Sequence, residues 1–253
     1  MNNNLQKKYQ IIGDFHTHTM VSQHAYSTIA EMIASSQEQG FSAIAITDHG
    51  PEMMDGAISH HFFCMSGLPS LIGDFHLYKG AEVNIKDFNG RIDLPKQVLE
   101  LLDFVIASYH VEAITPGTKT ENTEGWLSVI ENQYVDCLGH VGNPVFPFEH
   151  EKVVKALARK GKILEINANS FLVRPGSEEN CRDVISLCKK YEVPVTVNSD
   201  AHSKWQVGKV DAALHLLEEM KFPPQMILNS NLVNIKKYIE TRKQEKKEIL
   251  QKY

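Results

Sequence analysis

The chain is poor in cysteine, with four in 253 residues, and no two of them form a Cys-x-x-Cys pair. A thiolate zinc site is therefore not expected. Cys181 and Cys188 fall on one predicted helix, too far apart along its axis for a disulfide. Cys64 and Cys137 lie in hydrophobic surroundings and are read as buried thiols. No apolar run is long enough to span a bilayer. Met1 to Gln10 carries Lys7 and Lys8 but no apolar segment of signal-peptide type, which points to a cytoplasmic protein with no membrane partner. There is no basic excess either: the formal charge is -5. A general affinity for nucleic acid would need a concentrated basic surface, so it is not expected. The one Lys- and Glu-rich segment, 236–253, reads as a solvated C-terminal helical tail, with an oligomer contact or a nucleic-acid touchpoint as the lesser alternatives. No internal repeat is visible, and the length suits one α/β barrel domain over 1–253.

What the chain does contain is a series of short apolar runs, each leading into a polar residue. They are Ile11-Ile12 into His16, Ala43 to Ile46 into His49, and Leu77-Tyr78 into Glu82. Phe104 to Ala107 leads into His110, Cys137-Leu138 into His140, Ile163 to Ile166 into Asn167, and Val195 to Val197 into Asp200. Their starts recur at about thirty residues, the length of one βα unit. Seven strands are implied.

Helical patterns fill the gaps. Thr28-x-x-Glu31 is a capping-box pattern followed by Ile29, Met32 and Ile33 at helical spacing, with Gly40 as the stop. Val153, Val154, Leu157 and Ala158 line a second helix closed by Gly161. Ser177 is placed to cap a third, whose inner face holds Val184, Ile185 and Cys188. A fourth runs from about Val210 to Met220. Asn89-Gly90 between Ile85 and Ile92 predicts a type I′ hairpin. Alternating strands and helices give a parallel sheet covered on its faces, and seven units favour closure into a distorted (β/α)7 barrel over an open sheet.

In such folds chemistry collects at the carboxyl ends of the strands. His16 and His18 share one strand face, and a His-x-His pair of this kind can converge on one ion. His24, His49, Glu82, His110, His140, Asp200 and His202 occupy the other strand ends, with Asp200 and His202 a second i, i+2 pair. Strand six ends in the polar run Asn167 to Ser170 without an obvious ligand. Nine candidate ligands exceed the needs of one ion and suit two or three, with a carboxylate, Glu82 or Asp200, as the bridge. Nitrogen-rich, thiol-free ligation suits Zn²⁺, with Mn²⁺ or Fe²⁺ as alternatives. The other histidines lack this placement. His76 starts a strand, His150 opens a helix and His215 is mid-helix, whereas His60 and His61 fall in a predicted loop and are candidates for lid contacts.

These motifs resemble the PHP (polymerase and histidinol phosphatase) family. The resemblance rests on His16-Thr17-His18, Thr47-Asp48-His49-Gly50, Glu82, His110, His140 and Ser199-Asp200-Ala201-His202. Ser22-x-His24-Ala25-Tyr26-Ser27, Gly142-Asn143-Pro144, Glu165-Ile166-Asn167 and 176–182 are similar to its stand-alone phosphatase branch, of YcdX type. The resemblance implies a distorted seven-stranded barrel holding three ions, usually zinc. One would use His16, His18, Glu82 and Asp200. A second would share Glu82 and take His110 and His140; the third would take His24, His49 and His202.

The chemistry this suggests is attack of a metal-bound hydroxide on a small phosphomonoester. Arg174 is placed to hold phosphate oxygens, with backbone donors from the helix at Ser177 as a further possibility. Asp48 is read as orienting a ligand histidine, or else as the proton donor to the leaving group. The rival readings are a histidinol-phosphate phosphatase, a nucleotide phosphatase or 3′–5′ exonuclease, and a non-catalytic metal-binding module.

Overall fold

Side chains in a strand alternate between its two faces, and that alternation explains the whole architecture. In the strand at Phe104–Ser108, Phe104 and Ile106 point into the barrel, whereas Val105 and Ala107 pack outward against helices. Ile163–Asn167 repeats the arrangement, with Ile163 inside and Leu164 and Ile166 outside. The computed structural model describes residues 5 and 8–250, so most of 1–7 and the last three residues of the charged tail lie outside the described residues.

Among the described residues there are eight strands: β1 Gly13–Asp14, β2 Ala43–Ile46, β3 Leu71–Ile72, β4 Phe75–Asn84, β5 Phe104–Ser108, β6 Cys137–Leu138, β7 Ile163–Asn167 and β8 Val195–Asn198. Seven run parallel in the order β1-β2-β4-β5-β6-β7-β8, and β3 pairs antiparallel with β4 as a short added hairpin. Each parallel strand contains or directly follows one of the seven apolar runs read from the sequence. The helices are α1 Ile29–Glu38, α2 Ser59–Cys64, α3 Lys96–Leu99, α4 Lys119–Glu131, α5 His150–Lys160, α6 Ser170–Val173, α7 Ser177–Lys190, α8 Asp211–Glu219 and α9 Leu232–Leu250. The predicted capping box of α1 is formed by Thr28 and Glu31. Among the described residues no helix is long and apolar enough to cross a membrane.

The ring nearly closes between β1 and β8. Beyond the strand ends His18 N–H donates to the Ala201 carbonyl at 2.8 Å. Lower down, the Asn229 amide stitches the two strands. Its Nδ2 donates to Gly13 O at 2.8 Å and Val197 O at 2.7 Å, and its Oδ1 accepts from Val197 N–H at 3.0 Å.

The barrel interior is apolar below and polar above. Phe15, Tyr78, Phe104, Ile106, Cys137 and Ile163 fill the lower layers, with the Phe15 and Phe104 rings edge to face at 5.2 Å. Further along the same inward-facing rows stand Glu82, Asn84, Glu165, Asn167 and Asn198, all buried. Hydrophobic floor and polar ceiling are thus two ends of one alternation.

Several local expectations need correction. The Asn89-Gly90 turn is not type I′, since only Gly90 has positive φ (+83°). Lys86 N–H bonds Arg91 O at 2.8 Å across a wider loop, where Asp87 accepts from the Asn89 and Arg91 N–H groups. Cys64 is exposed, because Phe62 and Met65 take the inward positions there; Cys137, Cys181 and Cys188 are buried free thiols. Residues 59–64, including His60 and His61, form helix α2 rather than a loop. Gly176, at φ +88°, occupies the cap position of α7, and Ser177 is buried with its hydroxyl unpaired. The C-terminal helix is not wholly solvated. Ile235 and Ile239 plug the barrel floor, and Arg242 and Lys246 bond the buried Asp136 at 2.8 and 3.3 Å.

Candidate metal centre

Glu82 sits at the middle of the polar ceiling, fully buried, and its two oxygens face different histidines. Oε1 lies 2.8 Å from His140 Nε2 and 3.4 Å from His110 Nε2. Oε2 lies 2.7 Å from His49 Nδ1, 3.2 Å from His16 Nε2 and 3.6 Å from His18 Nε2. Asp200 Oδ1 closes the other side, 3.2 Å from His18 Nε2 and 3.5 Å from His16 Nε2.

Most of these approaches are not hydrogen bonds. His16 Nε2, both ring nitrogens of His18, His49 Nδ1, Glu82 Oε2 and Asp200 Oδ1 are buried without a hydrogen-bond partner. A buried polar atom left this way costs about 1–3 kcal/mol, and here six converge. Three groups offer donor atoms close enough to share an ion: His16, His18 and Asp200; His49, Glu82 and His110; and His18, His49 and His202. The donor set, all imidazole and carboxylate, suits a borderline divalent cation. His24 belongs to none of the three, although its ring centroid is 4.5 Å from that of His202 and 5.1 Å from that of His49. The sequence-read rim is therefore brought together, with His24 at its outer edge.

The electrostatics agree with a cation-binding cage. Burial would raise the Glu82 and Asp200 carboxyls, yet the surrounding histidines, His16 foremost, hold both well below the usual carboxylate range. Burial would lower His16, but Glu165, Glu82 and Asp200 together push it well above its ordinary value. A field that favours a proton there also favours a metal ion in its place. Burial, then the neighbouring imidazoles, drives His18 well below its ordinary value. Burial, then Arg174, lowers His140 to about 4. Both are therefore neutral imidazoles at physiological pH, the form that ligates metal.

A second set of residues fixes how the rings face, and part of it escapes a reading of strand ends. Glu165 Oε1 accepts from His16 Nδ1 at 2.6 Å, and Oε2 accepts from His140 N–H at 2.8 Å. Asn84 Oδ1 accepts from His110 Nδ1 at 2.7 Å, while its Nδ2 donates to Asp93 Oδ2 at 2.6 Å. That second bond sets the amide orientation, so His110 carries its proton on Nδ1 and presents a bare Nε2 to the centre. Asp55 Oδ2 accepts from His24 Nδ1 at 2.6 Å. The signal for Glu165 and Asn84 is present in the sequence as polar residues at inward-facing positions of apolar strands.

Asp48 has other partners than expected. It is fully buried and accepts from Thr19 N–H at 2.7 Å, Thr19 Oγ1 at 2.8 Å and Ser22 Oγ at 2.8 Å. Ser22 Oγ in turn accepts from His49 N–H at 3.1 Å. Asp48 thus orders the loop before His24 and the backbone of His49. It bonds none of the nine candidate ligands; its nearest histidine is His61, at 3.5 Å.

The backbone is strained where ligands are presented: His140 (φ +29°) and Asp200 (φ +55°) are left-handed without being glycine. Such conformations cost about 1–3 kcal/mol each and persist where surrounding structure enforces them. Gly142 is required by close approach, since a Cβ there would stand 2.5 Å from Cys181 Sγ. The first turn of α7 packs against this loop, and Ser177 is not in the cavity wall.

Above the centre opens a cavity of about 840 Å³ whose wall includes His24, His49, His110, Asp200, His202 and Arg174. Arg174 reaches inward, its Nη1 donating to Ser170 Oγ at 3.0 Å and lying 3.6 Å from Asp200 Oδ2.

A nearly closed parallel barrel with a ring of histidines and carboxylates at the carboxyl ends of its strands defines the class: a metal-dependent hydrolase. The chain matches the family model described as the PHP domain over residues 14–169, and that described as PHP-associated over 178–215. It belongs to the PHP family. It is 41% identical over 235 residues to a "Probable phosphatase" of Acetivibrio thermocellus, covering 93% of this chain and 98% of that one. To a relative of the same description from Clostridium botulinum strain Hall it is 42% identical over 229 residues, covering 90% and 94%. Among solved structures, histidinol phosphate phosphatase from Lactococcus lactis, complexed with zinc, L-histidinol and phosphate, has the same fold. The TM-score is 0.59 at 19% identity, covering 84% of this chain and 95% of that one.

Proposed function

We propose that this protein hydrolyses phosphomonoesters at a trinuclear centre of zinc-type ions. The observation that carries the reading is the convergence of unpaired, buried imidazole nitrogens on Glu82 Oε2, with His110 and His140 gathered at Oε1. His16, His18, Glu82 and Asp200 would hold one ion, and Glu82, His110 and His140 a second. His24, His49 and His202 would hold the third. Bound there, the ions supply an activated water and neutralise charge on the phosphoryl oxygens.

The chain's own residues do the rest. Glu165, Asn84 and Asp55 keep a proton on Nδ1 of His16, His110 and His24, so that each Nε2 is free to ligate. Arg174, with guanidinium N–H groups beyond the one given to Ser170, holds the phosphate against the centre. Asp48, absent from the cavity wall, stiffens the loop carrying His24 and is not assigned proton transfer to the leaving group.

The test is to purify the protein without chelator, count bound metals by elemental analysis and assay p-nitrophenyl phosphate on the same sample. About three ions per chain with hydrolysis is the expected result. Full metal loading with no turnover of any phosphomonoester would overturn the catalytic part. Failure to bind added metal would overturn the centre itself.

A further inference from the structure

Five apolar or aromatic side chains form part of the wall above the centre: Tyr26, Met53, Tyr109, Val111 and Val173. Three of them stand largely in water, with Tyr26 77% exposed, Val173 57% and Val111 54%. Leu172, next in the chain to Val173, is 80% exposed. Apolar surface gathered at the mouth of a buried polar centre, rather than scattered over a molecule, marks a binding surface. Charge is sparse there. Apart from the candidate ligands, the described residues of the wall include only two charged side chains, Arg174 and Glu112. Arg174 is turned down toward Asp200 and Ser170, leaving exposed Glu112 without an accompanying cation in the wall.

We propose that the preferred substrate is a phosphomonoester bearing a single phosphate, whose alcohol half is apolar or aromatic and carries no second anion. The proposal rests on the phosphomonoesterase reading above and narrows it. A cavity of about 840 Å³ far exceeds what a phosphate group fills, so the alcohol half occupies most of it. Tyr26, Val111 and Val173 gain by being covered, in proportion to the apolar area removed from water. A second phosphate or a carboxylate on the substrate would meet Glu112 and find no lysine or arginine among the described residues of the wall beyond Arg174, which is committed to the first phosphate. Bisphosphates, nucleoside polyphosphates and nucleic-acid strands are disfavoured on that ground.

The test is a series of primary alkyl phosphates, whose leaving groups are nearly equal in reactivity, given to the metal-loaded enzyme. A buried methylene is worth about fourfold in affinity. Hexyl phosphate should therefore exceed ethyl phosphate by at least about tenfold in kcat/KM, and 1,3-propanediol bisphosphate should be poorer than ethyl phosphate. Binding of the non-hydrolysable hexylphosphonate and ethylphosphonate, followed by calorimetry, should show the same order without turnover. In the double variant Tyr26→Ser, Val173→Ser the hexyl-to-ethyl ratio should fall below about threefold. Equal hydrolysis of the two alkyl esters, or preference for the bisphosphate, would overturn this proposal and leave the phosphatase reading standing. No turnover of any ester, p-nitrophenyl phosphate included, would remove both.

Discussion

Glu165 Oε1 and His16 Nδ1 lie 2.6 Å apart, both side chains wholly buried, one from the sixth and the other from the first parallel strand unit. Each oxygen of Glu165 accepts twice: Oε1 from His16 and Asn198, Oε2 from His140 and Asn167. One carboxylate therefore sets the position of two candidate ligands.

Glu165→Gln is nearly the same shape but replaces one acceptor by an NH2 facing two donors. We expect a loss of about 10–100-fold in zinc affinity, read by competition with a chromophoric chelator. Wild-type affinity in this variant would show that Glu165 does not position the ligands.

Asn84 links His110 to Asp93. Asn84→Leu leaves the half-buried Asp93 carboxylate and the buried His110 Nδ1 without this partner, so a loss of roughly 2–3 kcal/mol in folding stability is expected. Because His110 is then free to carry its proton on Nε2, kcat/KM should also fall about tenfold or more. Urea unfolding and steady-state kinetics on one preparation check both, and an unchanged denaturation midpoint would contradict the first.

Lys162 gives a pH signature away from the metal centre. It is 3% exposed, and its ammonium donates to the Val135 carbonyl at 2.6 Å. Burial, then the charge of Arg242, lowers its pKa to about 7 from an ordinary 10.5. Between those values the unfolded chain holds a proton that the folded chain lacks, so this contribution to stability rises with pH. Lys162→Met should abolish a rise on the order of 3 kcal/mol between pH 7 and pH 10. The measurement is the difference between wild-type and variant unfolding free energies across that range, and a flat difference would refute the shift.

Asn229→Ala removes the stitch across the β1–β8 seam and leaves buried groups of Gly13 and Val197 unpaired. A cost of about 2–4 kcal/mol is expected. Amide exchange should rise first at Val197, whose N–H the Asn229 side chain accepts. Protection there equal to that of the wild type would show that the seam is held by other contacts.

Much of this was legible in the chain because strand alternation is regular. A run such as Phe104 to Ala107 declares which residues face inward, and continuing the count reaches His110. The same count reaches Glu165 and Asn84, but the attention given to strand ends passes over polar residues within a strand. The exposure of Cys64 is not legible in the chain, because hydrophobic neighbours in sequence do not say which side of a six-residue helix is covered. The inner face of α9 was hidden for a different reason. Two of its buried positions are Arg242 and Lys246, paired with Asp136 from another strand unit, and a count of apolar residues alone misses them. His24 is legible as a motif residue, whereas its distance from the inner cluster depends on the loop that Asp48 and Asp55 hold.

The seam has a consequence for the order in which the molecule is made. His16 leaves the ribosome early, Asp200 and His202 late, and the Asn229 side chain that draws their strands together later still. A nascent chain can form the middle of the ring, Glu82 with His110 and His140, while its two flanks are still apart. Completion of the centre therefore waits on Asn229, and a chain cut short before it would hold its histidines in the wrong geometry to serve together.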